Sequence, residues 1–459
     1  MNPRLALAVD AGKAAGFATR LLGRGGGTAV PGLVSERIEP RIARLLASQI
    51  GQGRVAVTGT NGKTTTTRIL ARIFEEAGLP FIHNREGSNL MRGITSRLIA
   101  SSNALGHVRE GAKSIGLFET DEATLPAACR AVRPTVLAFT NLFRDQLDRY
   151  GEVDTVASLW RDGLAASPKT STLVLNADDP SVAELAIDWP GPIHWFGLDD
   201  PSFATTAKGA VDARWCRVCG GNFRYERRYF AHVGFWSCTG CTRVRPDPDS
   251  LAGGVRLGLD SASFSVDGLG EVTMPLTGLY NVYNAMAAIG VARVLGMSTA
   301  AIRSGLSTVQ PAFGRQEVIE IAGRRLRLLL CKNPAGANQV LQLLAALAAD
   351  GQELRVAVLL NDRFADGQDV SWTWDVDYEA LAGKVATCWV AGDRAEDMAL
   401  RLKYAHWPAP GLTTHDPAAL IDAIVAAAPE GSDIFVIPTY TALLDFRAAA
   451  SKRAVVSRF

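Results

Sequence analysis

"VTGTNGKTTT", Val57 to Thr66, is the stretch on which the reading of this chain turns. The common phosphate loop reads G-x-x-x-x-G-K-[ST]. Gly62-Lys63-Thr64 matches its end, but Val57 stands where the first glycine belongs, and Gly59 comes two residues late. The flanks argue for a real loop. Arg54 to Thr58 is a short apolar strand candidate, while Ile69, Leu70, Ile73, Phe74 and Ala77 recur at helical spacing before Gly78 closes the segment. Strand, glycine loop and helix are what phosphate binding requires: glycines let backbone N–H groups approach the oxygens, and the helix N-terminus favours negative charge. In that reading Gly59, Thr60, Asn61, Gly62, Lys63, Thr64 and Thr65 cradle a nucleotide. Lys63 reaches the β and γ phosphates, and the Thr64 hydroxyl holds Mg²⁺. The plainer alternative is an ordinary turn with an exposed lysine.

Working outward, "SIGLFETDEAT" is an apolar run ending in Glu119, Asp121 and Glu122; "PTVLAFTNLFRDQLDRYG" ends a strand at Asn141, and "STLVLNADDP" ends one at Asn176 and Asp178. Polar residues just past apolar strands mark the ligand edge of an open parallel α/β sheet. Glu119 stands where an acid of the Walker-B type would bind Mg²⁺, with a solvated acidic cluster as the alternative. The pattern breaks between about Ala204 and Pro248, resumes with "MPLTGLYNVYNAMAAIGVARVLG", and meets a boundary near Pro311 to Arg315. Beyond it, strands at Leu326–Leu330, Val356–Leu360, Ala386–Val390 and Ile434–Ile437 alternate with helical patterns, a second α/β domain. A chain of 459 residues calls for two or three domains.

The interruption carries the sharpest spacing in the chain. Cys216-x-x-Cys219 and Cys238-x-x-Cys241 offer four thiolates to one tetrahedral Zn²⁺. A closed four-sulfur site has no open position, so such a metal is structural; a redox dithiol pair is the alternative. Cys129, Cys331 and Cys388 read as core residues. The six histidines show no shared ligand spacing, and no Ser-His-Asp or Cys-His arrangement stands out. Net charge is +2, from 48 basic and 46 acidic residues, which argues against a broad nucleic-acid or membrane-binding field. The first residues read as a basic amphipathic helix ending at Gly25-Gly26-Gly27, without a secretory signal, and no segment is apolar enough to span a bilayer; the cytoplasm is the expected location.

These motifs resemble the Mur ligases, ATP-dependent enzymes of peptidoglycan peptide assembly. "GTNGKTTT" is that family's own phosphate loop, so the late glycine is no defect. "FETDEAT", "TNLFRDQLDRYG", "NADDP", "GLYNVYNAMAA" and "FGRQE" follow in the order of its middle domain, over about residues 30 to 320. "HNREGSNLMRGITS", the four-cysteine ribbon, "KNPAGANQVL" and "NDRFADGQDVSWTWD" look like its MurT subgroup and extend the likeness across nearly the whole chain. The resemblance implies an N-terminal helical segment over 1–45 and a P-loop middle domain with a parallel sheet over 46–314, carrying the ribbon at about 205–250. A Rossmann-like α/β domain over 315–459 completes it. It also implies ATP, Mg²⁺ and structural Zn²⁺ as cofactors, with Lys63 and Thr64 on phosphate and Mg²⁺ and Glu119 on Mg²⁺. Asn281 and Asn284 fall on the adenine side, and Arg315 is the interdomain arginine. The partner implied is a GatD-type glutaminase, whose Cys-His pair Asp369 completes. Lipid II at the inner membrane face is the substrate, its D-glutamate α-carboxylate being amidated through an acyl phosphate; nucleic acid is not expected.

Two departures from amino-acid-adding Mur ligases stand out. Asp145-Gln146-Leu147-Asp148 replaces D-H-L-D, and Trp160 and Arg161 occupy the region where those enzymes carry a carbamylated lysine. Two rival readings compete: an amino-acid-adding Mur or folylpolyglutamate-type ligase, and a zinc-ribbon NTPase that binds nucleic acid through Arg214, Arg217, Arg224, Arg227, Arg228, Arg243 and Arg245.

Overall fold

The computed structural model describes residues 2–21, 29–84, 89–144, 153–205, 212–311 and 314–454, the side chains of Arg20 and Arg315 excepted. Three helices open the chain, Pro3–Leu21, Val30–Ile38 and Ile42–Ala47. The first two pack closely because Gly12 lies against Ser35, whose hydroxyl donates to the Ala8 carbonyl at 2.7 Å. The expected glycine stop at Gly25 to Gly27 and the Asp145–Asp148 motif lie outside the described residues.

Strands β1 (Arg54–Thr58), β2 (Phe81–His83), β3 (Ile115–Glu119), β4 (Val136–Phe139), β5 (Thr172–Asn176) and β6 (Ile193–Leu198) run parallel. A hairpin, β7 (Phe223–Phe230) and β8 (Val233–Cys238), stands apart as its own two-stranded sheet. Next, β9 (Ser250–Leu257) joins β6 in parallel, and β10 (Ala262–Val266) and β11 (Gly270–Met274) add an antiparallel edge. The nine-stranded order is β11-β10-β9-β6-β5-β4-β1-β3-β2. The central strands are apolar without alternation because helices cover both faces. One of these, Leu279–Val294, is buried nearly all round, which its continuous run of Val, Ala, Met and Ile allows.

The order reverses at β1, which has β3 on one side and β4 on the other. Such a switch point opens a crevice at the strands' C-terminal ends, where open α/β sheets bind ligands. The loop after β1 is the Val57–Thr66 stretch.

The remaining strands are β12 (Arg315–Ile321), β13 (Arg324–Leu329), β14 (Leu354–Leu359), β15 (Val385–Ala391), β16 (Thr413–Thr414) and β17 (Asp433–Pro438), in the order β12-β13-β17-β14-β15-β16. All pair in parallel except β12 with β13. The four strands expected for this region correspond to β13, β14, β15 and β17, with Leu330 and Leu360 falling one residue past the ends of β13 and β14. This is a second α/β domain, and its C-terminal edge carries Lys332–Asn333 after β13 and the Leu360–Val370 loop after β14. Among the described residues, no helix is long and apolar enough to cross a membrane.

Candidate active site

The phosphate loop is shaped by contacts that only glycine permits. Gly62, the residue before the helix Lys63–Glu76, has φ +89°, and a Cβ there would sit 2.0 Å from Asn284 Oδ1. Gly59, with φ +141°, lies just as tightly against Thr140 Oγ1. Asn141 clamps the loop from β4: its Oδ1 accepts from Asn61 N at 2.9 Å and its Nδ2 donates to Asn61 O at 3.1 Å. Asn281 and Asn284 are both buried. Asn284 Nδ2 donates to Asn281 Oδ1 at 3.1 Å, and Asn281 Nδ2 to Thr277 O at 2.8 Å. The two asparagines therefore underpin the glycine turn from beneath.

Charged groups converge at the helix N-terminus. Thr64 Oγ1 donates to Glu119 Oε1 at 3.1 Å, which puts the hydroxyl and the acid on one spot, as a shared cation would require. Asn84, fully buried at the end of β2, holds the Glu119 backbone from both sides: its Nδ2 donates to Glu119 O at 2.8 Å and its Oδ1 accepts from Glu119 N at 2.9 Å. Lys63 Nζ pairs with Glu122 Oε1 at 2.8 Å and also reaches the carbonyls of Gly59 and Thr60. Burial pushes the Glu122 carboxyl up, and the Lys63 and Lys332 charges pull the other way. Lys332 belongs to the C-terminal domain, which also touches the loop directly. Asn61 and Asn333 exchange reciprocal amide bonds, at 3.3 and 3.2 Å, and Asn333 Oδ1 caps the helix Pro334–Ala349 by accepting from Gly336 N. Gln316, beside the Arg315 whose side chain lies outside the described residues, spans the domains through Thr277 N at 2.9 Å and the Tyr280 hydroxyl at 2.8 Å. A cavity of about 270 Å³ is lined by Tyr280 together with Gln339, Gln342 and Leu343 of the C-terminal domain.

The four cysteine sulfurs lie within 4.8 Å of one another. Cys219 and Cys238 Sγ are 3.4 Å apart, and Cys216 and Cys241 Sγ 3.9 Å. Zn–S bonds of about 2.3 Å in a tetrahedron set neighbouring sulfurs near ~3.8 Å, so the cluster fits that ion. Gly221 N and Gly240 N donate to Cys219 and Cys238 Sγ at 3.4 and 3.3 Å, backbone donation that favours thiolates. At Cys216, burial is outweighed by the Val218 N–H and by Arg243, whose Nη1 donates to the sulfur at 3.1 Å; the thiol falls to about 6. Arg217, Arg227, Arg243 and Arg245 are engaged inside the molecule. Arg217 pairs with Asp154 and Arg227 with Asp199; Arg243 reaches Pro180 O, and Arg245 pairs with Asp178. Four of the seven arginines of the nucleic-acid reading thus serve to dock the ribbon.

Asp369 lies on the surface, its Oδ1 accepting from Ser371 N at 2.8 Å at the start of the 3₁₀ turn Ser371–Asp375. Donation from Ser371 holds its carboxyl below the usual range, so it stays ionised. The neighbouring acids are committed within the chain: Asp362 to Arg394 at 2.9 Å, Asp366 to Thr441 N at 2.7 Å, and Asp375 to Arg144 at 3.1 Å. In the same stretch of chain, Phe364 is 82% exposed and Trp374 53%.

A model of the Mur ligase middle domain matches residues 57–216, and one of the MurT ligase C-terminal region matches residues 330–443. A relative from Streptococcus pneumoniae (strain ATCC BAA-255 / R6), named lipid II isoglutaminyl synthase (glutamine-hydrolyzing) subunit MurT, is 34% identical over 466 residues, covering 100% of this chain and 99% of its own. This chain belongs to the MurT family. A relative of the same name from Staphylococcus aureus (strain COL) is 32% identical over 440 residues, with 95% of each chain covered. Among solved structures, a pseudomurein peptide ligase type C from Methanothermus fervidus superposes with a TM-score of 0.65 at 21% identity, covering 87% of this chain and 78% of that one; the likeness speaks to the fold.

In this MurT-family chain the fold thus gathers Gly59 to Thr65, Glu119, Asn281 and Asn284 at the switch-point crevice and leaves Asp369 on the outer surface of the C-terminal domain. Sequence reasoning passed over Asn84, Glu122 and Asn333 as site residues. Asn84 and Asn333 sit inside "HNREGSNLMRGITS" and "KNPAGANQVL", so a polar residue next to a strand end was the available signal. Trp160 is fully buried against Phe139, with ring centroids 5.0 Å apart, and Arg161 pairs with Glu184 at 3.0 Å; both are structural here.

Proposed function

We propose that this chain is the synthase subunit of an ATP-dependent, glutamine-using amidation of the D-glutamate α-carboxylate of lipid II. A carboxylate resists attack by ammonia, so it is first phosphorylated to an acyl phosphate; ammonia then displaces phosphate and leaves an amide. Lys63 and Arg315 would neutralise charge on the transferring phosphoryl group, and the glycine turn built on Asn281 and Asn284 would present its backbone N–H groups to the phosphates. Thr64 and Glu119 would hold Mg²⁺, whose charge lowers the cost of bringing phosphate and carboxylate together. For Lys63 to reach phosphate it must turn away from Glu122, an exchange of one buried anion for another. The cavity beside Tyr280 would offer room for the base. Contacts through Asn61 and Asn333 favour a closed site, which keeps water from the acyl phosphate.

The observation that carries the partner reading is the isolation of Asp369. Of the acids named on this segment, it alone is bonded only to its own turn; donation from that turn holds its carboxyl low, and the same segment exposes Phe364 and Trp374. Such an acid can orient and charge-stabilise a histidine supplied by a second, glutaminase-type subunit, and the exposed aromatics suit a protein interface. The zinc ribbon would fix the Cys216–Cys241 segment to the middle domain. The test is Asp369→Asn with a GatD-type partner. Glutamine-driven amidation should collapse while the complex still forms and free ammonium at high pH still supports the reaction. Glutamine use at the parent rate would reject the shared-triad reading.

A further inference from the structure

The 3₁₀ turn Ser371–Asp375 that follows Asp369 is tied to the nucleotide loop twice. On one side, Arg144 lies three residues past Asn141, the residue that clamps Asn61. Its Nη2 meets Asp375 Oδ2 at 3.1 Å, while its N and Nε hold Asp212 at the root of the ribbon at 2.9 and 3.2 Å. On the other side, Asn333 pairs with Asn61, and one turn along the same helix Asn338 Oδ1 accepts from Asp377 N at 2.7 Å. Both routes start at Asn61 and end within two residues of the turn's C-terminus. Arg401 fixes the turn from beneath, its Nε donating to Thr373 O at 3.1 Å and its Nη2 to Val376 O at 2.7 Å, so the turn moves as a unit.

We propose that Arg144 is a positioning residue which, through Asp375, makes the placement of Asp369 depend on the closed arrangement of the nucleotide site. The inference rests on the proposed function above and adds regulation to it. Glutamine is hydrolysed efficiently only when the middle and C-terminal domains are engaged at Asn61, so ammonia is not released onto an empty synthase site. Arg144 takes no part in the chemistry. It touches neither the phosphate loop's donors nor Asp369; it connects the elements that carry them. An ion pair that is one-third exposed on the arginine and 44% exposed on the aspartate acts modestly in water, which suits a reversible link.

The experiment uses the chain with its glutaminase-type partner, lipid II and ATP. Asp375→Ala and Arg144→Gln each remove the link from one end, and Asp375→Glu keeps it. Three rates are read: amidation from glutamine, amidation from ammonium, and glutamine hydrolysis with and without a non-hydrolysable ATP analogue. For the first two variants, amidation from glutamine should fall by up to about five-fold, the upper end for a part-exposed ion pair, with ammonium-driven amidation at the parent rate. Stimulation of glutamine hydrolysis by the analogue should be lost, and Asp375→Glu should restore it. Equal loss of both amidations would mean that the pair only packs the domains, and no loss would mean that it couples nothing. Either result overturns the proposal. Collapse in Asp375→Ala with none in Arg144→Gln would give Asp375 a catalytic part instead and overturn it too. If the parent complex itself cannot use glutamine, the underlying function is what fails, and the parent control shows this before any variant is read.

Discussion

Replacing Gly62 by alanine separates two costs that the structure allows to be estimated. The first is backbone: φ of +89° is left-handed, at about 1–2 kcal/mol for a residue with a Cβ. The second is contact. The new methyl would lie 2.0 Å from Asn284 Oδ1, so Asn284 must swing away and give up its bond to Asn281, a further ~1 kcal/mol. Gly78 supplies the control, since its φ is +67° and nothing lies within 4 Å of its notional Cβ. Gly78→Ala should therefore carry the backbone cost alone. In thermal unfolding, each kcal/mol lowers Tm by roughly 2–4 °C for a domain of this size, so Gly62→Ala should melt a few degrees below Gly78→Ala. The larger separation is in nucleotide binding by calorimetry. Gly62→Ala should weaken ATP at least about tenfold, equivalent to about 1.4 kcal/mol, because the N–H groups of the turn are re-aimed, whereas Gly78→Ala should bind as the parent does. Equal ATP affinity in the two variants would refute the claim that the Gly62–Asn284 contact shapes the phosphate site.

Two further outcomes follow from groups elsewhere in the fold. Purified chain should carry about one zinc by elemental analysis, and Cys238→Ser should lower both zinc content and Tm; a metal-free preparation with parent stability would reject the zinc assignment. His83, half-buried at the end of β2, is held down to about 4 by its withdrawal from solvent and by the Arg97 and Arg68 charges. It stays neutral in the folded chain but takes up a proton below about 6.5 once unfolded, so its contribution to stability is complete above that pH and is lost as the pH falls towards 4. Urea unfolding at pH 7 and pH 5 should differ by about 2 kcal/mol through this group, and His83→Leu should remove that part of the slope; an unchanged slope would contradict it.

What could be read from residues alone was whatever is written locally. The Gly62-Lys63-Thr64 tripeptide, the paired cysteines and the apolar strands each depend on neighbours within a few positions, so the phosphate loop, the ribbon and strands β1, β3, β4 and β5 were legible, whereas the three-residue β2 was too short to show a pattern. The pairings that finish the site are not local. Glu122 meets Lys63 across 59 positions and Asn333 meets Asn61 across 272, and neither distance leaves a trace in spacing. Asn281 and Asn284 show the same limit differently. Their motif was plain, and resemblance put them on the adenine side, but only the packing of Leu279–Val294 against the loop reveals that Asn284 forms the seat of Gly62. The arginine-rich ribbon looked like a nucleic-acid face because its acidic counterparts, Asp154, Asp178 and Asp199, lie outside it in sequence.

The most direct test of the proposed chemistry follows the oxygen atoms of the substrate carboxylate. Lipid II carrying heavy oxygen in the D-glutamate α-carboxylate is incubated with the purified complex, ATP and glutamine, and the inorganic phosphate released is analysed by mass spectrometry. An acyl phosphate made at the Lys63 loop must leave one of those oxygens on phosphate for every amide formed. Label in phosphate at that ratio is the expected result. Amide formation with unlabelled phosphate would contradict the acyl-phosphate route.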